Sequence, residues 1–127
     1  MIAADTSTWV AFLDGTPGED TLLLDKALQD RQLVMVPAVL TELLSDPRLP
    51  PTLAATLADV PLLPIEPGFW QRAGASRAKV LAKNRRARLG DALIAQTCID
   101  AKISLITRDR DFRPFAQAAA LHLILAA

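Results

Sequence analysis

Short apolar runs alternate with helical patterns along nearly the whole chain, and this alternation most narrows what it can fold into. Ile2–Ala4, Leu33–Val36, Leu62–Ile65, Ile103–Thr107 and Leu121–Leu125 read as strands, the third weakened by Pro64. Helical periodicity is predicted from Thr6, over Glu19–Gln29, Pro37–Ser45, Thr52–Ala58 and Pro67–Ala82, and from Asp91 to about Ala101. Gly15–Gly18 and the proline-rich Asp46–Pro51 are turns, and Lys83–Leu89 is a basic loop or frayed helix end. Strands that must each be reached through a helix form a parallel sheet, covered on both faces. An α/β fold with a central parallel sheet is therefore expected. In such sheets, sites form beyond the carboxyl ends of the strands.

The 127 residues suit one compact domain, 1–127, with enough apolar content for a core without disulfides. Cys98 is the single cysteine and falls among apolar helix neighbours, so a core role in a reducing compartment is expected. No apolar run approaches the roughly 18–20 residues that cross a bilayer. The N-terminus meets Asp5 at once and lacks the basic region of a signal peptide, so a soluble cytoplasmic protein with no membrane role is expected.

Zero net charge conceals a division. Ten of the 14 acids lie in residues 1–66 and eleven of the 14 bases in residues 67–127. Between Glu66 and Asp91 there is no acid, while Arg72, Arg77, Lys79, Lys83, Arg85, Arg86 and Arg88 all fall there. Such a block is either a polyanion contact or a solvated face.

Composition excludes several chemistries. With one histidine, His122, and no tyrosine, a metal-free nuclease using two histidines is not available. No Cys/His cluster has zinc spacing, and neither a phosphate-binding P-loop nor a G-x-S-x-G elbow is present. Carboxylates remain, and hard oxygen donors suit Mg²⁺ or Mn²⁺. Asp5 follows the first strand, where it could equally cap the next helix, with Thr6, Ser7 and Thr8 also able to cap. Glu42 lies at the shoulder of the apolar stripe Val39, Leu40, Leu43, Leu44, a position also open to an ordinary exposed glutamate. Asp91 shares a helix face with Ile94, Ala95 and Cys98, where a carboxylate loses hydration and needs a partner. Asp109 and Asp111 alternate with Arg108 and Arg110 after the fourth run, where simple salt bridges are also possible. Two unit charges about 5 Å apart repel by about 3 kcal/mol at an effective dielectric near 20, a penalty that a divalent cation removes.

Taken in order, Ile2-Ala3-Ala4-Asp5-Thr6-Ser7, Thr41-Glu42-Leu43, Gly90-Asp91-Ala92-Leu93-Ile94-Ala95 and Leu105–Phe112 resemble the PIN domain, and most nearly VapC-like toxins of toxin–antitoxin pairs. The likeness covers essentially the whole chain. It implies a single PIN-like α/β/α domain, Mg²⁺- or Mn²⁺-dependent endoribonuclease activity, a cognate antitoxin and a homodimer. Asp5, Glu42, Asp91 and Asp109 match the family's acidic quartet, with Asp5, Asp91 and Asp109 as metal ligands and Glu42 completing the shell or orienting water. Ser7, Thr107 and Asp111 would support them. Bound metal would polarise the scissile phosphate, activate water and steady the leaving oxygen. Arg72, Arg77, Lys83, Arg85, Arg86 and Arg88 would hold flanking RNA phosphates. The acid-free stretch 67–90 departs from the family in being unusually basic. A nuclease for RNA processing or DNA without a toxin role, and a non-catalytic nucleic-acid-binding domain, share the same motifs and stay open.

Overall fold

The computed structural model describes residues 1–126. Four strands, β1 (Ile2–Ala4), β2 (Leu33–Val34), β3 (Ser104–Thr107) and β4 (Leu123–Leu125), form one all-parallel sheet in the order β2-β1-β3-β4. Seven helices connect them: α1 (Thr6–Leu13), α2 (Glu19–Gln29), α3 (Pro37–Leu44), α4 (Pro51–Ala58), α5 (Phe69–Ala82), α6 (Leu89–Ala101) and α7 (Arg113–Ala119). The α/β fold with a central parallel sheet is thus as the alternation predicts.

The connection from β1 to β2 runs one way along the sheet, and the connections to β3 and β4 run the other. Right-handed crossovers then put α1 and α2 on one face and α5, α6 and α7 on the other. The packing agrees, since α1 packs on α2 while α5 packs on α6 and α7. The chain therefore reverses direction between the adjacent strands β1 and β3, which opens a crevice beyond their carboxyl ends. Asp5 leaves β1 at that crevice, and its amide N–H bonds to the Ile106 carbonyl of β3 at 3.0 Å.

The core fills both sides of the sheet. Leu24, Met35, Val36, Val39, Val80, Ile94, Leu105, Ile106, Phe112 and Phe115 are all buried. Cys98 is also buried, and burial pushes its thiol up to about 12, which makes it a core residue rather than a nucleophile.

Several boundaries differ from the sequence reading, for local reasons. The strand expected at Leu62–Ile65 shrinks to one bridge, Met35 to Leu62, because Pro61 and Pro64 flank it and cannot donate to a ladder. What survives is Met35 N–H to the Pro61 carbonyl and Leu63 N–H to the Met35 carbonyl. β2 stops at Val34, because Val36 already caps α3 and Pro37 opens it. α5 starts at Phe69 rather than Pro67, since Gly68 takes a left-handed φ of 81°. Helix α7 is absent from the sequence expectation, although Pro114 in its first turn and the alanines behind it favour one.

Candidate metal centre

Each acid of interest is delivered by the end of a regular element. Asp91 stands in the first turn of α6, Asp109 follows β3, and Asp111 lies in the 3-10 turn Arg110–Phe112. Ligand atoms of Asp91, Asp109 and Asp111 all lie within 4.8 Å of one another, and all three side chains are half-buried. The turn is built by Asp109 itself: its Oδ1 accepts from the Asp111 N–H at 2.8 Å, and its own N–H donates to Thr107 Oγ1 at 2.9 Å. The Asp111 carboxylate, whose part in the site the sequence left open, lies among the three mutually close acids.

Asp91 bears the strain of this arrangement. Its helix face is the apolar one expected, with Ile94, Ala95 and Cys98 buried. Burial first, then the charge of Asp109, with smaller effects from Asp111 and Glu42, push its carboxyl up to about 6. Arg88 acts in the opposite sense.

Asp5 lies deeper, at 3% exposure, and is not one of the three mutually close acids. Both its oxygens accept from Ser7 Oγ, at 2.8 and 2.9 Å, and Oδ1 also accepts from the Thr8 N–H at 3.2 Å. Asp5 is thus the cap of α1, and Ser7 serves Asp5 instead of capping the helix as the sequence allowed. Burial raises the Asp5 carboxyl, while the Ser7, Thr8 and Thr107 donors offset part of that rise. Glu42 is exposed on α3 and accepts from Thr6 Oγ1 at 2.8 Å.

The donor set suits a small divalent cation. It is all carboxylate oxygen, it gathers like charges that oppose one another, and its strained member titrates well above an ordinary aspartate.

A PIN domain family model matches residues 2–118. The chain belongs to the PIN domain family. Similar solved structures include VapBC2 from Rickettsia felis bound to a promoter DNA fragment, at 20% identity and TM-score 0.75 over 98% of each chain. FitAcB from Neisseria gonorrhoeae aligns at 19% identity and TM-score 0.72 over 98% of this chain and 96% of that one. VapBC-5 from Mycobacterium tuberculosis, described as a member of the VapBC toxin–antitoxin systems, aligns at 23% identity and TM-score 0.68 over 97% and 96%. At these identities the likeness establishes the fold. No relative among curated proteins matches the sequence.

The bases of this PIN domain divide by environment. Lys83, Arg85, Arg86 and Arg88 are exposed on the segment between α5 and α6. Arg86 Nη1 lies 4.0 Å from Asp111 Oδ2, so this segment borders the acids. Arg72 and Arg77 are held elsewhere: Arg72 forks onto Asp100 of α6 and also donates to the Pro67 carbonyl, and Arg77 Nε donates to the Ala87 carbonyl at 2.8 Å. Arg77 thereby ties the basic segment to α5.

Sequence reasoning missed one pair. Asp20, in the first turn of α2, reads locally as an acid placed for the helix dipole, but it is 1% exposed and bonded to Arg108. Nothing local signals a partner 88 positions away.

Proposed function

We propose that this PIN domain is a Mg²⁺- or Mn²⁺-dependent endoribonuclease, and that it acts as the toxin of a VapC-like toxin–antitoxin pair. The convergence of Asp91, Asp109 and Asp111 at the crevice between β1 and β3 carries this reading. Asp91, Asp109 and Asp111 would hold the ion directly. Asp5, buried and held by Ser7 and Thr8, would add charge or a water-mediated contact, and Glu42 would orient water. When bound, the ion supplies charge stabilisation for the scissile phosphate and lowers the pKa of attacking water. Arg86 and Arg88 would bind the phosphates beside the cut and orient the strand, with Lys83 and Arg85 further along it.

The toxin role draws on the fold shared with VapBC2, FitAcB and VapBC-5, the last described as a member of the VapBC family of toxin–antitoxin systems. A cognate antitoxin would mask the acids with an Arg or Lys side chain. No helix among the described residues is long and apolar enough to cross a membrane, and the cytoplasm is the proposed place of action. A homodimer belongs to the same reading: Trp70 (64% exposed) and Leu89 (63% exposed) border a shallow apolar cleft between α5 and α6, a surface suited to a second copy.

The test is cleavage of RNA by the purified chain. Cleavage should vanish in EDTA, return with Mn²⁺ or Mg²⁺, and be lost in Asp91→Asn while the circular dichroism spectrum is kept. Full activity in EDTA, or in Asp91→Asn, would remove the metal centre from the reaction. Expression should also arrest a bacterial host and Asp5→Ala should relieve the arrest; a harmless, soluble, metal-loaded chain would remove the toxin role and leave the nuclease.

A further inference from the structure

The Asp20–Arg108 pair joins two elements that nothing else in the sequence relates. Arg108 Nε donates to Asp20 Oδ2 and Nη2 donates to Oδ1, both at 2.8 Å, in a two-pronged fork. Thr8 Oγ1 adds a third bond to Oδ2 at 2.9 Å. The Asp20 side chain is 1% exposed and that of Arg108 31%. The Gly18 backbone closes over the pair. A Cβ there would sit 2.6 Å from Asp20 Oδ1 and 2.9 Å from Arg108 Nη2, so any side chain would push into the fork.

The bonds form a continuous path through the site. Thr8 donates its N–H to Asp5 and its hydroxyl to Asp20. Asp20 grips Arg108, whose main chain runs directly into Asp109. Asp109 then builds the turn that carries Asp111. The residue that precedes Asp109 is thereby fixed to α2, and through Thr8 to the same helix end that holds Asp5.

Stability does not demand such a pair, because a buried ion pair is commonly no better than apolar residues of the same volume. Geometry gives it a purpose. We infer that the Asp20–Arg108 fork is a positioning device, which holds the Arg108–Asp111 turn so that Asp109 and Asp111 meet Asp91 at a spacing that receives a divalent ion. This inference rests on the metal reading proposed above.

The experiment compares direct Mn²⁺ binding, followed by the paramagnetic resonance of free Mn²⁺, in the intact chain and two variants. Asp20→Leu combined with Arg108→Met removes both charges at similar volume and should stay folded. Arg108→Lys keeps the charge balance and loses the fork. Partners that orient ligands typically contribute about 10- to 100-fold to metal affinity. Mn²⁺ affinity should therefore fall at least about tenfold in the double variant and several-fold in Arg108→Lys, measured per folded molecule. Unchanged affinity in either folded variant would make the pair a structural staple and overturn the inference. An intact chain that binds no Mn²⁺ would instead overturn the metal reading itself. Should the double variant fail to fold, Arg108→Lys alone decides.

Discussion

Asp91 and Asp109 reach one point from different elements, Asp91 from the first turn of α6 and Asp109 from beyond β3, and neither carries a salt bridge there among the described residues. Burial and the facing charge of Asp109 lift the Asp91 carboxyl to about 6. Protons and metal must then compete for the same oxygens near neutral pH. Mn²⁺ affinity should be nearly constant above pH 7 and should fall below about pH 6 by up to about tenfold per pH unit for one competing proton. Titrations at several pH values check this; a flat profile down to pH 5 would show that Asp91 does not bind the ion.

The same shift sets the stability of the metal-free protein. Unfolded, Asp91 titrates near an ordinary aspartate at about 3.9. Its folded carboxyl lies higher, so the folded state holds the proton more tightly. The resulting penalty is absent below about pH 4, grows as pH rises toward 6, and is constant above that. Asp91→Asn should therefore stabilise the metal-free chain at pH 7.5, by about 1–2 kcal/mol once partial exposure is allowed for, and the gain should dwindle toward pH 4. Denaturant unfolding in EDTA at both pH values measures it. A loss of stability at pH 7.5 would contradict the electrostatic account.

What the sequence reveals and hides follows from how local each signal is. Asp5 is legible because it directly follows a strand, Asp109 because it lies two residues beyond one, and Asp91 because 3.6-residue periodicity puts it on the face of Ile94, Ala95 and Cys98. Asp111 comes beside Asp91 and Asp109 on a 3-10 turn closed by its N–H bond to Asp109, which no periodicity encodes. Asp20 and Arg108 look like a first-turn acid and a loop base, and only the tertiary fold joins them. At Leu62–Ile65 the apolar pattern suggests a strand, but the prolines at 61 and 64 outweigh it. Among the bases, composition treats Arg72 and Arg85 alike; only the tertiary fold separates an arginine forked onto Asp100 from one in solvent.

That separation gives the third prediction. Replacing Arg85, Arg86 and Arg88 by Ala should weaken RNA binding at every sequence, with the salt slope falling by roughly 0.7 for each single-strand phosphate that is no longer neutralised. Arg72→Ala should instead lower the melting temperature, because it strips the fork from Asp100, and should leave the slope unchanged. Filter binding across a salt series distinguishes them. An unchanged slope in the triple variant would leave the exposed segment a solvated face.

The last prediction concerns the cut ends, because they report mechanism independently of family. RNA can be cut by its own 2′-OH, which needs a paired base and acid and leaves a 2′,3′-cyclic phosphate. It can also be cut by water attacking in line and expelling the 3′ oxygen, the route open to sites that hold divalent ions. The first route commonly uses a pair of histidines, which is missing here: the chain has one histidine, His122, which is exposed on the approach to β4 and faces Ser104, and it has no tyrosine. The second has the clustered acids. Products should therefore carry 5′-phosphate and 3′-hydroxyl ends, with activity lost in EDTA and restored by Mg²⁺ or Mn²⁺ but little by Ca²⁺, whose larger, looser shell fits a tight carboxylate site poorly. A single 2′-deoxy substitution at the cleavage position should slow the reaction only modestly, since the 2′-OH is not the nucleophile. Mass spectrometry of the fragments decides the matter: cyclic phosphate ends formed equally well in EDTA would refute the carboxylate–metal mechanism, however well Asp91, Asp109 and Asp111 are placed for it.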